Sequence, residues 1–131
     1  MMYMLDTNIC IHLMKHTQSV LDKFNKMEDN NMAISSITLA ELEFGINYST
    51  SYEKNRAKLI SFLPLVEVLS FDASAALEYG MIRAKMQKKG TLIGQLDMLI
   101  AAHAKSEGLT LVTNNTREFG RVDGLQFEDW L

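Results

Sequence analysis

The chain has 131 residues, 47% apolar and 22% charged, with a net charge of −3. That is ordinary globular composition, long enough to bury a core, and it excludes a disordered tail or a strongly basic nucleic-acid coat protein. No apolar run approaches the roughly 20 residues of a bilayer-spanning helix, so a membrane role is not expected. The opening MMYMLDTN has neither a basic segment nor a cleavage site, and the single Cys10 leaves no internal disulfide and reads as a core thiol. The cytoplasm is the expected compartment, and one domain over residues 1–131 the expected organisation.

Tyr3 to Leu5 is a short apolar run ending in Asp6 and predicts a buried strand. Cys10, Leu13 and Met14 recur at helical spacing, and Val20, Phe24 and Met27 predict a second helix. Asp29-Asn30-Asn31 is turn chemistry. Met32 to Ser35 predicts a second strand, after which Thr38 opens a helix through Glu41, Leu42 and Phe44 that Gly45 weakens near its end. A helix from Tyr52 to Leu63 follows, stopped by Pro64, and Val66 to Phe71 is a β-branched third strand. Asp72 is placed to cap the next helix, with Ala73, Ala76, Leu77, Gly80, Met81 and Ala84 as its inner face and Gly90 at its end. Gly94 precedes a helix from Gln95 to Glu107, closed by Gly108. Leu109 to Thr113 is a fourth strand, and Leu125 to Phe127 a short fifth.

Strands alternating with helices predict an α/β layer structure with a mostly parallel four- to five-stranded sheet flanked by helices. In such a sheet, strand ends and the first turns of the crossover helices gather at one edge, where ligands bind. Asp6 ends strand one, Glu41 lies in the first turn after strand two, Asp97 in the first turn before strand four, and Asn114 and Asn115 follow strand four. Hard oxygen donors without His or Cys suit Mg²⁺ or Mn²⁺ and not zinc. Such an ion can hold a phosphate and activate water against a phosphodiester.

Each residue also has a purely structural explanation. Asp6 can cap the following helix, Thr38-x-x-Glu41 matches a capping box, and Asp97 can favour a helix dipole. Asp97 is nevertheless the only charge between Gly94 and His103, and a carboxylate in an apolar stretch needs a partner that no adjacent Lys or Arg offers. Glu43, two residues from Glu41, points elsewhere. His12, His16 and His103 lack metal spacing and read as helix-surface or core residues. Arg83, Lys85, Lys88 and Lys89, with Arg117 and Arg121, form either solvated faces or a phosphate-contacting group. No Gly-x-Ser-x-Gly, P-loop or Gly-x-Gly-x-x-Gly appears.

Four stretches in order carry a family resemblance: Met4-Leu5-Asp6-Thr7-Asn8, Ser35 to Leu42, Gly94 to Ala104, and Val112 to Phe119, with Glu128-Asp129-Trp130 closing the chain. Together they resemble the VapC toxins of VapBC toxin–antitoxin pairs, a group of PIN-domain proteins. The resemblance implies an α/β/α PIN fold and a Mg²⁺- or Mn²⁺-dependent endoribonuclease, with tRNA as a common substrate of relatives. It also implies toxicity to the producing cell, a cognate VapB-type antitoxin and a toxin homodimer. It makes Asp6 and Asp97 the metal-binding pair and has Glu41 complete the acidic site. Many PIN domains carry Asp where Asn115 stands, which puts two-metal occupancy in doubt. Glu118 is a candidate for the missing carboxylate, its alternative being a surface pairing with Arg121. Two rival readings stand at this point: a catalytically silent PIN-fold binding protein, favoured by Asn115, and another acidic-site phosphoryl-transfer α/β enzyme. The second wants an Asp-x-Asp strand end that Asp6-Thr7-Asn8 does not provide.

Overall fold

The computed structural model describes residues 3–27 and 32–131; the expected turn at Asp29-Asn30-Asn31 lies outside them. Five strands, β1 (Tyr3–Leu5), β2 (Met32–Ser35), β3 (Glu67–Leu69), β4 (Thr110–Val112) and β5 (Phe127–Glu128), form one sheet in the order β3-β2-β1-β4-β5. Every pairing is parallel. Parallel strands need crossovers that cover both faces, which is why the central strands are mostly apolar.

Side-chain alternation divides the core in two. Met4, Ala33 and Leu111 sit in register and point to one face, where α5 (Ala73–Lys89) and α6 (Gln95–Ser106) pack. Leu5, Met32, Ile34 and Val112 point to the other, beneath α1 (Thr7–Met14), α2 (Gln18–Lys26), α3 (Ser36–Tyr48) and α4 (Tyr52–Phe62). Trp130 closes this second layer, buried and edge-on to Tyr3 at 5.6 Å. The single turn α7 (Thr116–Phe119) links β4 to β5. The result is the expected α/β/α arrangement. Among the described residues no helix is long and apolar enough to cross a membrane.

Four local features differ from expectation. The helix after β2 starts two residues before Thr38, because Ser35 caps it by accepting from the Ile37 amide at 3.0 Å, and it runs through Gly45 to Tyr48. Pro64 does not stop α4 abruptly; it enters a 3₁₀ turn, Leu63–Leu65, where a missing N–H leaves no bond unmade. Strand β5 starts two residues later than expected.

The largest difference is in α5. Its buried residues are Ala75, Ile82 and Met86, whereas Leu77 and Met81 of the expected inner face are 68% and 53% exposed, and Ala73, Ala76 and Ala84 are exposed with them. The helix carries two apolar stripes of similar period. Periodicity cannot say which faces the sheet; packing of Ile82 and Met86 against α6 and the sheet decides it.

The strand order reverses at β1. One chain half winds outward through β2 and β3, the other through β4 and β5. The C-terminal ends of β1 and β4 therefore border a topological switch point, the place where open parallel sheets leave a crevice.

Candidate metal centre

Asp6 leaves β1 at that crevice. Its backbone amide donates to the Val112 carbonyl at 3.0 Å, so the turn is anchored to β4. Its Oδ1 accepts from the Ile9 amide at 2.9 Å, which caps α1. The cap reading of Asp6 is thus correct, and it leaves the second carboxylate oxygen uncommitted by that bond. The residue is 5% exposed. Burial pushes its pKa up, Thr113 and the Ile9 amide pull it down, and Glu41 pushes it up again.

Glu41 is not part of a capping box. Thr38 is buried inside α3, and the Glu41 Oε1 accepts from the Thr7 hydroxyl at 2.6 Å. Thr7 also approaches Thr38 at 3.4 Å, tying the start of α1 to α3. The neighbouring Glu43 does point elsewhere: it forms a two-pronged bond with Arg56 of α4, at 2.8 and 2.7 Å.

Asp97 sits in the first turn of α6, half-buried, with Gly94 close by. A Cβ on Gly94 would come 3.6 Å from its Oδ2. Its pKa is raised to about 6, first by burial, then by a hydrogen bond and charge from Glu118, then by the charges of Asp6 and Glu41. Asp97 therefore feels the other three carboxylates across the crevice, and Asp6 feels Glu41. Among the described ion pairs none reaches this group.

The fourth corner differs from expectation. Asn115 turns its amide nitrogen to Glu118 Oε2 at 3.1 Å, while its backbone amide donates to Thr113 Oγ1 at 2.9 Å. Glu118 leans towards Asp97, and Arg121 instead reaches the Leu92 carbonyl at 3.5 Å, so the surface pairing of Glu118 with Arg121 is not formed. His103 is a core residue: it is fully buried, its Nδ1 is 2.7 Å from Ser35 Oγ, and its ring stands edge-on to Phe71. Nothing local in the sequence announces that bond, because its partners are 68 residues apart.

Among the described residues no three His, Cys, Asp or Glu side chains are already drawn onto one point as a finished ligand set. The donor chemistry still fits a hard divalent cation. Four carboxylates face one crevice and, among the described residues, no Lys or Arg is paired to them; an ion of charge +2 is what relieves their mutual repulsion. Neutral donors meanwhile hold Glu41 through Thr7 and Glu118 through Asn115.

A parallel α/β sheet with carboxylates gathered at its switch point defines an acidic-site α/β protein. The PIN domain model matches residues 3–125, and the chain belongs to that family, whose nucleases generally use divalent metal ions. Its similar relatives fall in the VapC ribonuclease group. It is 46% identical over 132 residues to Ribonuclease VapC2 of Rickettsia felis, covering 99% of this chain and 98% of that protein. It is 48% identical over 129 residues to the tRNA(fMet)-specific endonuclease VapC of Shigella flexneri, covering 98% and 97%. A chain in the crystal structure of VapBC2 from Rickettsia felis bound to a promoter DNA fragment superposes with a TM-score of 0.95 at 43% identity, over 100% of both chains.

Proposed function

We propose that this chain, acting as one PIN domain over residues 1–131, is the toxin of a toxin–antitoxin pair. It is an endoribonuclease that uses Mg²⁺, with Mn²⁺ as a substitute, and cuts tRNA until a VapB-type antitoxin silences it. The observation that supports this reading is that Asp6, Glu41 and Glu118 all lie close enough to raise the pKa of Asp97 at the switch point, with no cationic side chain paired to these carboxylates among the described residues. The tRNA substrate is supported by similarity to the tRNA(fMet)-specific endonuclease of Shigella flexneri, and the antitoxin by similarity to the VapBC2 complex. Its compartment in this reading is the cytoplasm, which an RNA substrate supports.

Asp6 and Asp97 would hold the ion, with Glu118 as a further donor and Asn115 as the residue that aims Glu118. When bound, a divalent ion polarises the scissile phosphate and lowers the pKa of water beside it. Glu41, held by Thr7, is placed to orient the attacking water or accept its proton. Thr113 joins Asp6 to the Asn115 backbone and so fixes the spacing between the two halves of the site. The homodimer implied by the family has a candidate apolar surface on α5, at the exposed Leu77 and Met81.

The test incubates purified, partner-free protein with total cellular RNA, in Mg²⁺ or in EDTA, beside Asp97→Asn. Discrete cleavage that needs both the metal and Asp97 supports the ribonuclease. If wild type and variant leave RNA equally intact in Mg²⁺ and Mn²⁺, the fold serves as a silent binding protein.

A further inference from the structure

A second charged feature lies between α5 and α6, with Lys105 at the opposite end of α6 from Asp97. Lys85 and Lys89 from the end of α5 meet Asp123 at 2.7 and 3.3 Å. Lys105, from the end of α6, donates to the Asp123 carbonyl at 3.1 Å and stands 3.9 Å from Glu78. With Arg121 these residues line a cleft of about 270 Å³. Four cations face two carboxylates, so the cleft is net positive on a chain whose total charge is −3.

The cations are placed and not merely scattered. Gly124 has φ +78°, and a Cβ there would lie 3.2 Å from Lys105 Cε and 3.3 Å from its Nζ. A glycine therefore opens the space through which Lys105 reaches the loop. Lys85 and Asp123 each remain 57% exposed, so their ion pair leaves the ammonium groups open to a further anion.

Arg121 is the cleft residue that leads towards the acidic site. The Arg121 amide donates to the Glu118 carbonyl at 3.0 Å, and Arg121 Nη1 reaches Leu92, two residues before Gly94 beside Asp97. An RNA strand approaching four carboxylates is repelled by them, and positive charge elsewhere along its backbone offsets that repulsion.

We propose that the Lys85, Lys89, Lys105 and Arg121 cleft binds the sugar–phosphate backbone of the RNA away from the scissile position, and that Asp123 restrains its strength. This rests on the ribonuclease reading, and adds the surface by which that site holds its substrate. Phosphate contact of this kind sets affinity and register without reading base identity.

The experiment measures binding of labelled bulk tRNA to full-length, partner-free Asp97→Asn protein across a range of KCl, by fluorescence anisotropy. Lys85→Gln with Lys89→Gln weakens binding about tenfold and flattens the plot of log K against log salt by roughly 0.7–0.9 for each phosphate no longer neutralised. Asp123→Asn does the opposite: binding tightens and the slope steepens. A cleft that served only to brace the fold would give weaker binding in all of these variants, so weakening by Asp123→Asn overturns the proposal. Unchanged tRNA binding in folded variants, checked by circular dichroism, overturns it too. So does loss of antitoxin binding with the tRNA slope intact, which would make the cleft a protein-docking face. Cleavage of RNA by the wild-type chain is scored separately: if it cuts while the cleft variants bind normally, this inference fails and the ribonuclease stands. If the wild type cuts nothing in either metal, the ribonuclease reading fails.

Discussion

Asp97→Asn should make the metal-free protein more stable while abolishing its activity. The substitution keeps the shape of the side chain and removes a charge that the pocket holds at a cost. The Asp97 carboxyl, ordinarily near 3.8, is raised to about 6 by burial and by Glu118, Asp6 and Glu41. At about 1.4 kcal/mol for each tenfold change in proton affinity, that rise sets a ceiling of about 3 kcal/mol, and partial exposure with solvent screening brings it to roughly 1–2 kcal/mol. For a domain of this size the gain is a rise in Tm of about 3–6 °C. The sign follows from linkage. Between about pH 4 and pH 6 the folded protein binds more protons at Asp97 than the unfolded chain does, so this group's contribution to stability falls as pH rises through that window and is constant above it. The difference in Tm between variant and wild type in EDTA should therefore be small near pH 4, grow to pH 6 and then level off. Thermal unfolding followed by circular dichroism gives this directly. Adding Mg²⁺ or Mn²⁺ should reverse the order, because an ion that binds only the folded wild type stabilises it by mass action. A variant less stable than wild type in EDTA at neutral pH, or a gap that does not depend on pH, would refute the repulsive pocket.

Three further outcomes follow from the same geometry. Asn115→Asp exchanges the amide that holds Glu118 for a fifth carboxylate, so metal-free stability should fall by about 1–2 kcal/mol while Mn²⁺ binds more tightly or with higher stoichiometry, as titration calorimetry would record. Thr7→Val removes the 2.6 Å bond to Glu41 and should lower RNA cleavage roughly tenfold, with little change in Tm; unaltered cleavage would show that Glu41 needs no orientation. Ser35→Ala removes the cap on α3 and leaves His103 Nδ1 without its bond in the interior, a loss of about 2–3 kcal/mol measurable by urea denaturation.

What could be read in advance depended on whether the deciding contact was local. The placement of Asp6, Glu41 and Asp97 at one sheet edge is legible because strand–helix alternation alone brings their segments there. Asp97 stood out as a lone charge in an apolar helix, and its raised pKa is the energetic face of that pattern. The orientation of α5 was not legible, because its two apolar stripes have the same period and the choice belongs to α6 and the sheet. The start of α3 was misplaced because both Ser35 and Thr38 are cap residues, and only the fold buries Thr38. The Ser35–His103 bond and the position of Lys105 beside Asp123 join residues distant in sequence, where no periodicity operates.

Asn115 changes meaning most between sequence and structure. As a sequence position it reads as a carboxylate lost from the family pattern, which weakens the site. In the fold its amide faces Glu118, and an amide nitrogen is a donor where an aspartate would be a second acceptor. The negative charge is thereby carried three residues further along, on a longer side chain that reaches towards Asp97. The same logic runs through the pocket. Asp6 is held by the Ile9 amide, Glu41 by Thr7 and Glu118 by Asn115, each by a neutral donor that fixes a carboxylate without cancelling its charge. Among the described residues Asp97 has no such donor; its polar neighbour is another carboxyl. Its charged form is therefore costly in the metal-free pocket, and an incoming cation relieves the repulsion that falls on it. Substitution there is where a gain in stability and a loss of activity should coincide.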